Sequence, residues 1–238
     1  MRKLYCSNSG QGPNLVLLHG WGSSSKIWRD VVAPLALKYR VWCIDLPGHG
    51  HSHAVPWDCT TEQGMQRLAE VLPPTARVLG WSLGGLWALL YARRYPRRVE
   101  GLMLVSSAPR FAGAPHWPHG MEPSSLHEFA RQYTKTPAQT LKKFCALQVV
   151  NSEHAKPTLA TLRGALSDAA DPADALAWGL RWLEEVDLRE AEGRVHRCID
   201  LLHGEEDRVL SVDAAQDTQR IWPHVRLERI AGAGHAPF

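Results

Sequence analysis

The run Gly80-Trp81-Ser82-Leu83-Gly84 places a serine between glycines at −2 and +2. Glycines at those sites allow a sharp turn from strand to helix, where larger side chains would clash. The serine hydroxyl is then held exposed at the apex. The flanks fit, because Ala76–Gly80 reads as a short buried strand and Leu83–Tyr95 as an apolar helix. The chemistry implied is nucleophilic attack by Ser82. The plainer alternative is close strand–helix packing by small residues, with Ser82 as a helix cap.

A serine hydroxyl is a weak nucleophile at neutral pH. It needs a general base within hydrogen-bond reach, and the base needs an orienting acid. Serine sites of this strand–turn–helix kind run in the order serine, acid, histidine. Of the twelve histidines, only His203 and His235 follow the serine and end a strand-like run. His235 lies among glycines in Ala231-Gly-Ala-Gly-His-Ala-Pro237 and is the expected base, while His203 is expected to be a packed neighbour. Asp207, in Leu202-His-Gly-Glu-Glu-Asp207, is the expected acid, with Glu205 and Glu206 as alternatives. The stretch Val105–Arg110 after the earlier strand holds no carboxylate. A tetrahedral intermediate also needs two fixed backbone donors. Leu83 supplies one at the start of its helix, and Trp21 in Leu18-His-Gly-Trp-Gly22 is expected to supply the other.

The elements that must position these residues alternate along the chain. Lys3–Cys6, Asn14–Leu18, Arg40–Ile44, Ala76–Gly80, Gly101–Val105, Cys198–Leu202 and Val225–Ile230 read as strands. Capping serines before Trp28 to Leu37, Thr60/Thr61 before a run to Leu72, and Val212–Trp222 read as helices. Short apolar strands separated by helices imply an α/β fold with a mostly parallel sheet covered on both faces. From Pro109 to about Arg189 no strand pattern appears, and helical spacing dominates. The expected division is a core of residues 1–108 and 190–238, with a helical cap of residues 109–189 over the strands' carboxyl ends. That edge is where open α/β sheets bind ligands.

Bulk properties narrow the class. The chain has 238 residues, is 45% hydrophobic and 21% charged, and carries a net charge of +3, too mild a balance to argue for nucleic acid. Ten tryptophans suggest a roomy apolar site as well as a core. Five cysteines, Cys6, Cys43, Cys59, Cys145 and Cys198, lack metal spacing and are expected reduced and buried. No secretory leader or membrane-length apolar run is visible, so a cytoplasmic monomer is expected. His49, His51 and His53 alternate in a glycine loop and are expected exposed rather than metal-bound. Gly48-x-Gly50 lacks the rest of a dinucleotide fingerprint. Arg93, Arg94, Arg97 and Arg98 read as a solvated helix end. Between Arg131 and Arg163 six bases face one acid, Glu153; this is either a steering surface for an acidic partner or a solubilising one.

With Leu17-Leu-His-Gly-Trp-Gly22, Gly80-Trp-Ser-Leu-Gly-Gly85, Gly204-x-x-Asp207 and Gly234-His-Ala-Pro237 in order, the chain resembles the α/β-hydrolases over nearly its whole length. Trp21, Trp81, Phe144-Cys-Ala-Leu-Gln148, Val186-Asp-Leu-Arg189 and the His-Ala-Pro-Phe ending resemble the pimeloyl-[acyl-carrier protein] methyl ester esterase family of biotin synthesis. The resemblance implies a carboxylesterase with Ser82, Asp207 and His235 as triad and no metal or organic cofactor. It implies a substrate channel lined by Trp21, Ser82, Leu83, Phe144, Cys145, Ala146, Leu147, Gln148 and His235. It further implies docking of acyl carrier protein on basic residues such as Lys142, Lys143, Lys156 and Arg163. Gln139 and Ala160 stand where the family can carry arginine, and Cys145 where leucine is usual. The sequence stops at Phe238, where the family adds a helix on the sheet, so His235 is expected to be held less securely. Two rivals are a broad ester, lactone or C–C hydrolase, and a slow-turnover ligand sensor.

Overall fold

A computed structural model of the protein describes residues 2–55, 60–166, 173–190 and 199–238. Seven strands form one sheet: β1 (Cys6–Ser9), β2 (Asn14–Leu18), β3 (Arg40–Ile44), β4 (Ala76–Trp81), β5 (Val99–Val105), β6 (Ile199–Gly204) and β7 (Arg226–Ile230). Their order is β1-β3-β2-β4-β5-β6-β7, with every pair parallel except β1 with β3. The helices are α1 (Arg29–Ala36), α2 (Thr61–Val71), α3 (Leu83–Arg94), α4 (Pro123–Lys135), α5 (Pro137–Leu147), α6 (Ala155–Gly164), α7 (Ala173–Glu185) and α8 (Val212–Ile221). Helices α4 to α7 thus fall between β5 and β6 in the chain.

Alternation along the strands divides the core in two, because successive side chains point to opposite faces. Val16, Leu18, Val78, Leu102 and Leu104 join the cluster that includes α3, whose residues from Leu83 to Ala92 are all buried. Leu17, Trp81 and Val105 face the other way, onto Ile27 and Trp28. Parallel register then aligns the strands' carboxyl ends. Leu18 pairs with Gly80, Trp81 with Val105, Val105 with Leu202, and Gly204 with Ile230. One edge therefore carries the Ser82 turn, the loop to Asp207 and the loop to His235.

Several local expectations need correction. The first strand is Cys6–Ser9, not Lys3–Cys6, and it pairs with β3 at the sheet edge. Its polar residues are held by ladder hydrogen bonds, so no apolar alternation marked it. The helix after Ser23 begins as a tight turn over Ser25–Trp28, and no serine caps it. Asp45, from the β3 loop, accepts the Ser25 N–H at 2.6 Å, while the Ser24 hydroxyl donates to the Ala165 carbonyl. Arg98 is not a solvated end: its guanidinium caps α2 through the carbonyls of Ala69, Leu72, Pro73 and Pro74. Arg94 pairs with Glu62, and Arg93 and Arg97 are exposed. Cys43 and Cys145 are buried thiols and Cys6 is half-buried, while Cys59 and Cys198 lie outside the described residues. Among the described residues no helix is long and apolar enough to cross a membrane.

Candidate active site

Ser82 sits between β4 and α3 with φ 55° and ψ −122°, a left-handed backbone that a side-chain-bearing residue rarely adopts. Its neighbours enforce the turn. A Cβ on Gly80 would strike the Gly84 carbonyl, and one on Gly84 would strike the carbonyls of Leu18 and His19. The Ser82 N–H donates to Val105, and its carbonyl accepts from Gly85 N–H at 2.8 Å and the Ser107 hydroxyl at 2.9 Å. The strain is held in place from three sides.

His235 Nε2 lies 2.9 Å from Ser82 Oγ, and His235 Nδ1 lies 2.7 Å from Asp207 Oδ2. An ionised carboxylate can only accept, so Nδ1 carries the proton and the Nε2 lone pair faces the serine hydroxyl. Both of these side chains are fully buried. Burial alone would raise the Asp207 pKa; the adjacent His235, then hydrogen bonds from His203 and His235, hold it well below the usual carboxylate range. Its Oδ1 accepts the N–H groups of Val209 and Leu210. His203 packs against the acid as expected, with Nε2 3.2 Å from Asp207 Oδ2 and 2.9 Å from the Leu210 carbonyl. Glu205 is exposed and Glu206 half-exposed, paired with Arg229 and Arg208, away from the histidine. His235 is also better held than expected. Its N–H donates to the Gln148 carbonyl, its carbonyl accepts the Trp81 indole, and Phe238 packs on Trp28 and Trp81.

The loop Gly20-Trp21-Gly22 lies against this centre, since a Cβ on Gly20 would come within 3.1 Å of Ser82 Cβ. Two histidines fix it from behind. His19 Nε2 accepts the Leu46 N–H, and His49 Nε2 accepts the Gly22 N–H at 3.2 Å. His49 is fully buried, not exposed as expected, whereas His51 leans on Asp45 and His53 faces solvent. Burial, then the neighbouring His19, pushes the His49 pKa down to about 3, which keeps the ring neutral and able to accept. Among the described residues no three His, Cys, Asp or Glu side chains form a group able to hold a metal ion. Sequence reading missed the role of His49; its only signal was a histidine between two glycines at positive φ, Gly48 and Gly50.

Residues 13–238 match the α/β-hydrolase fold family. The chain belongs to the α/β-hydrolases. It is 38% identical over 239 residues to a pimeloyl-[acyl-carrier protein] methyl ester esterase of Nitrosomonas europaea, covering all of this chain and 94% of the relative. An esterase of the same name from Chromobacterium violaceum is 38% identical, covering 99% of this chain and 92% of its own. Among solved structures, a bromoperoxidase from Bacillus anthracis superposes with TM-score 0.84 at 20% identity, over 98% of this chain and 88% of that one. The esterase EaEST from Exiguobacterium antarcticum superposes with TM-score 0.79 at 22% identity, over 98% and 88%. With Ser82, His235 and Asp207 hydrogen-bonded in series, this hydrolase is a carboxylic ester hydrolase of the Ser-His-Asp kind.

The α/β-hydrolase places the remaining expected residues unevenly. Trp21 is buried, its indole ringed edge-on by Phe129, Tyr133 and Phe144 at centroid distances of 5.3–5.4 Å. The run Phe144–Gln148 does not line one wall, because side chains on a helix rotate by about 100° per residue. Phe144 faces Trp21, Cys145 packs into the cluster with Trp28 and Trp81, and Ala146 and Leu147 are exposed. Gln148 is buried beside His235, and its side-chain Oε1 has no hydrogen-bond partner among the described residues. Lys142, Lys143, Lys156 and Arg163 are all exposed, on α5 and α6.

Proposed function

We propose that this hydrolase cleaves the methyl ester of a pimeloyl chain carried on acyl carrier protein, in the cytoplasm. The observation that carries the reading is the 38% identity, over essentially the whole chain, to esterases of that name. The site's geometry supplies the steps. His235 takes the Ser82 proton as Oγ attacks the ester carbonyl, and Asp207 orients the imidazole and stabilises its charged form. The tetrahedral oxyanion is held by the backbone N–H groups of Trp21 and Leu83. The latter opens α3, where the first amides have no intrahelical partner and the dipole favours negative charge. As the carbon–oxygen bond breaks, His235 gives its proton to the departing methoxide oxygen, which leaves as methanol. Water, deprotonated in turn by His235, then attacks the acyl-serine and releases the free carboxylate. None of these steps calls on a metal or organic cofactor.

Residues 109–189 act in this reading as the cap that holds the acyl chain. Trp21 and Phe144 provide apolar wall, and Gln148 provides a buried acceptor beside His235. The exposed bases Lys142, Lys143, Lys156 and Arg163 suit an acidic carrier. The test compares wild type and Ser82→Ala on the carrier-linked methyl ester and on free short-chain esters. Preference for the conjugate, lost with Ser82, supports the assignment. Equal rates on free esters or lactones would return the enzyme to a broad hydrolase. Stoichiometric labelling without turnover would make it a sensor.

A further inference from the structure

Glycine inside a helix is less favourable than alanine, so a buried one calls for a physical reason. Gly179 lies in the middle of α7 and is buried. A Cβ placed there would come within 2.8 Å of Trp21 Cδ1, 3.2 Å of Trp21 Nε1 and 3.4 Å of Leu83 Cδ2. One turn earlier on the same helix, the Leu176 carbonyl accepts the Trp21 indole N–H at 2.7 Å. The other sides of the indole meet Phe129 and Tyr133 of α4 and Phe144 of α5. The ring is 2% exposed and cannot step aside without breaking a buried hydrogen bond or its edge-on contacts. Helix α7 therefore touches, at one glycine, the side chains of both residues assigned above to the oxyanion.

We infer that α7 sets the position of the oxyanion donors through the Trp21 side chain, and that Gly179 is the positioning residue that lets the helix come close enough. The inference rests on the oxyanion reading of Trp21 and Leu83 and extends it. The helices over the site form part of the frame that holds the transition-state donors, besides walling the acyl chain. An alanine methyl at 179 would displace an indole clamped by three helices and move the Trp21 backbone with it. Hydrogen bonds weaken steeply with distance and angle, and a misplacement near 1 Å can reduce rate by about a hundredfold.

The test uses 4-nitrophenyl butyrate and its thionoester, whose sulfur is a poor acceptor for amide donors. In Gly179→Ala, kcat for the oxygen ester is expected to fall about tenfold or more. KM should change little, and the ratio of ester to thionoester rates should shrink. In a Trp21→Phe background, where the smaller ring leaves room, adding Gly179→Ala should change kcat by less than about twofold. Alanine favours the helix, so the fold should hold; if the single variant melts early, the comparison within the Phe background decides. Equal losses in both backgrounds, an effect on KM alone, or an unchanged ester-to-thionoester ratio would overturn the inference. A ratio near unity in the wild type would instead remove the oxyanion reading itself.

Discussion

At the scale of single residues, the reactive group depends on neighbours that never touch the substrate. Ser82 is held at positive φ by glycines and by Ser107, and Asp207 is kept ionised by His235 and His203. His49 does similar work for the Gly20–Gly22 loop, whose N–H at Gly22 it accepts. Removing it in His49→Ala leaves the Gly22 N–H unpaired in the interior, a loss of about 1–3 kcal/mol, and should lower kcat with little change in KM. Its titration gives a second readout. The unfolded chain protonates this histidine below pH 6.5, whereas the folded ring resists until about pH 3. Between those values the unfolded state binds the extra proton. Stability is therefore complete above pH 6.5 and declines as pH falls through that window, by about 1.4 kcal/mol per pH unit. Urea unfolding at pH 7, 6 and 5 should show stability falling with pH, and His49→Gln should reduce the slope, leaving the share of the buried His19, whose pKa burial also lowers. Wild-type stability that is flat from pH 7 to 5 would contradict the buried neutral ring.

At the scale of elements, what could be read locally was read well. Thr60 and Gln63 exchange hydrogen bonds between side chain and backbone, a complete capping box at the start of α2. Thr60→Ala should lower unfolding free energy by about 1 kcal/mol, within about 0.5–2, and leave kcat unchanged. Chemical denaturation beside a kinetic assay checks both. That cap was legible because donor and acceptor lie three residues apart. The start of α1 was not, since its cap comes from Asp45, twenty residues downstream. The first strand was read too early, over Lys3–Cys6, for a related reason: an edge strand of Cys-Ser-Asn-Ser has no buried face to imprint a period.

At the scale of the whole molecule, the surface charge of α4 to α6 belongs with the proposed docking of the carrier. Six bases against one acid between Arg131 and Arg163 form an outward-facing positive tract, with Arg131 engaged by Glu128. For a carrier-linked ester, kcat/KM should fall as salt rises from about 0.01 to 0.5 M, because exposed charges are screened over roughly 30 Å at the low end and under 10 Å at the high end. Reversing Lys142, Lys143, Lys156 and Arg163 to glutamate should raise KM for that substrate about tenfold and remove most of the salt slope. Stopped assays on the conjugate across the salt series measure both. No salt dependence in the wild type would place carrier docking elsewhere.

The amino-acid order alone determined the nucleophile, base and acid, the alternation of strands and helices, and the long helical interval before β6. Each is written in short-range pattern: a glycine spacing, a period of two or nearly four, a turn after an apolar run. Folding in three dimensions decided the rest. It buried His49 behind the Gly20–Gly22 loop, turned Ala146 and Leu147 to solvent, and brought Gly179 against Trp21. Those contacts join residues 27 to 158 positions apart, and no local periodicity records which distant surface a side chain will meet once the sheet and its covering helices close.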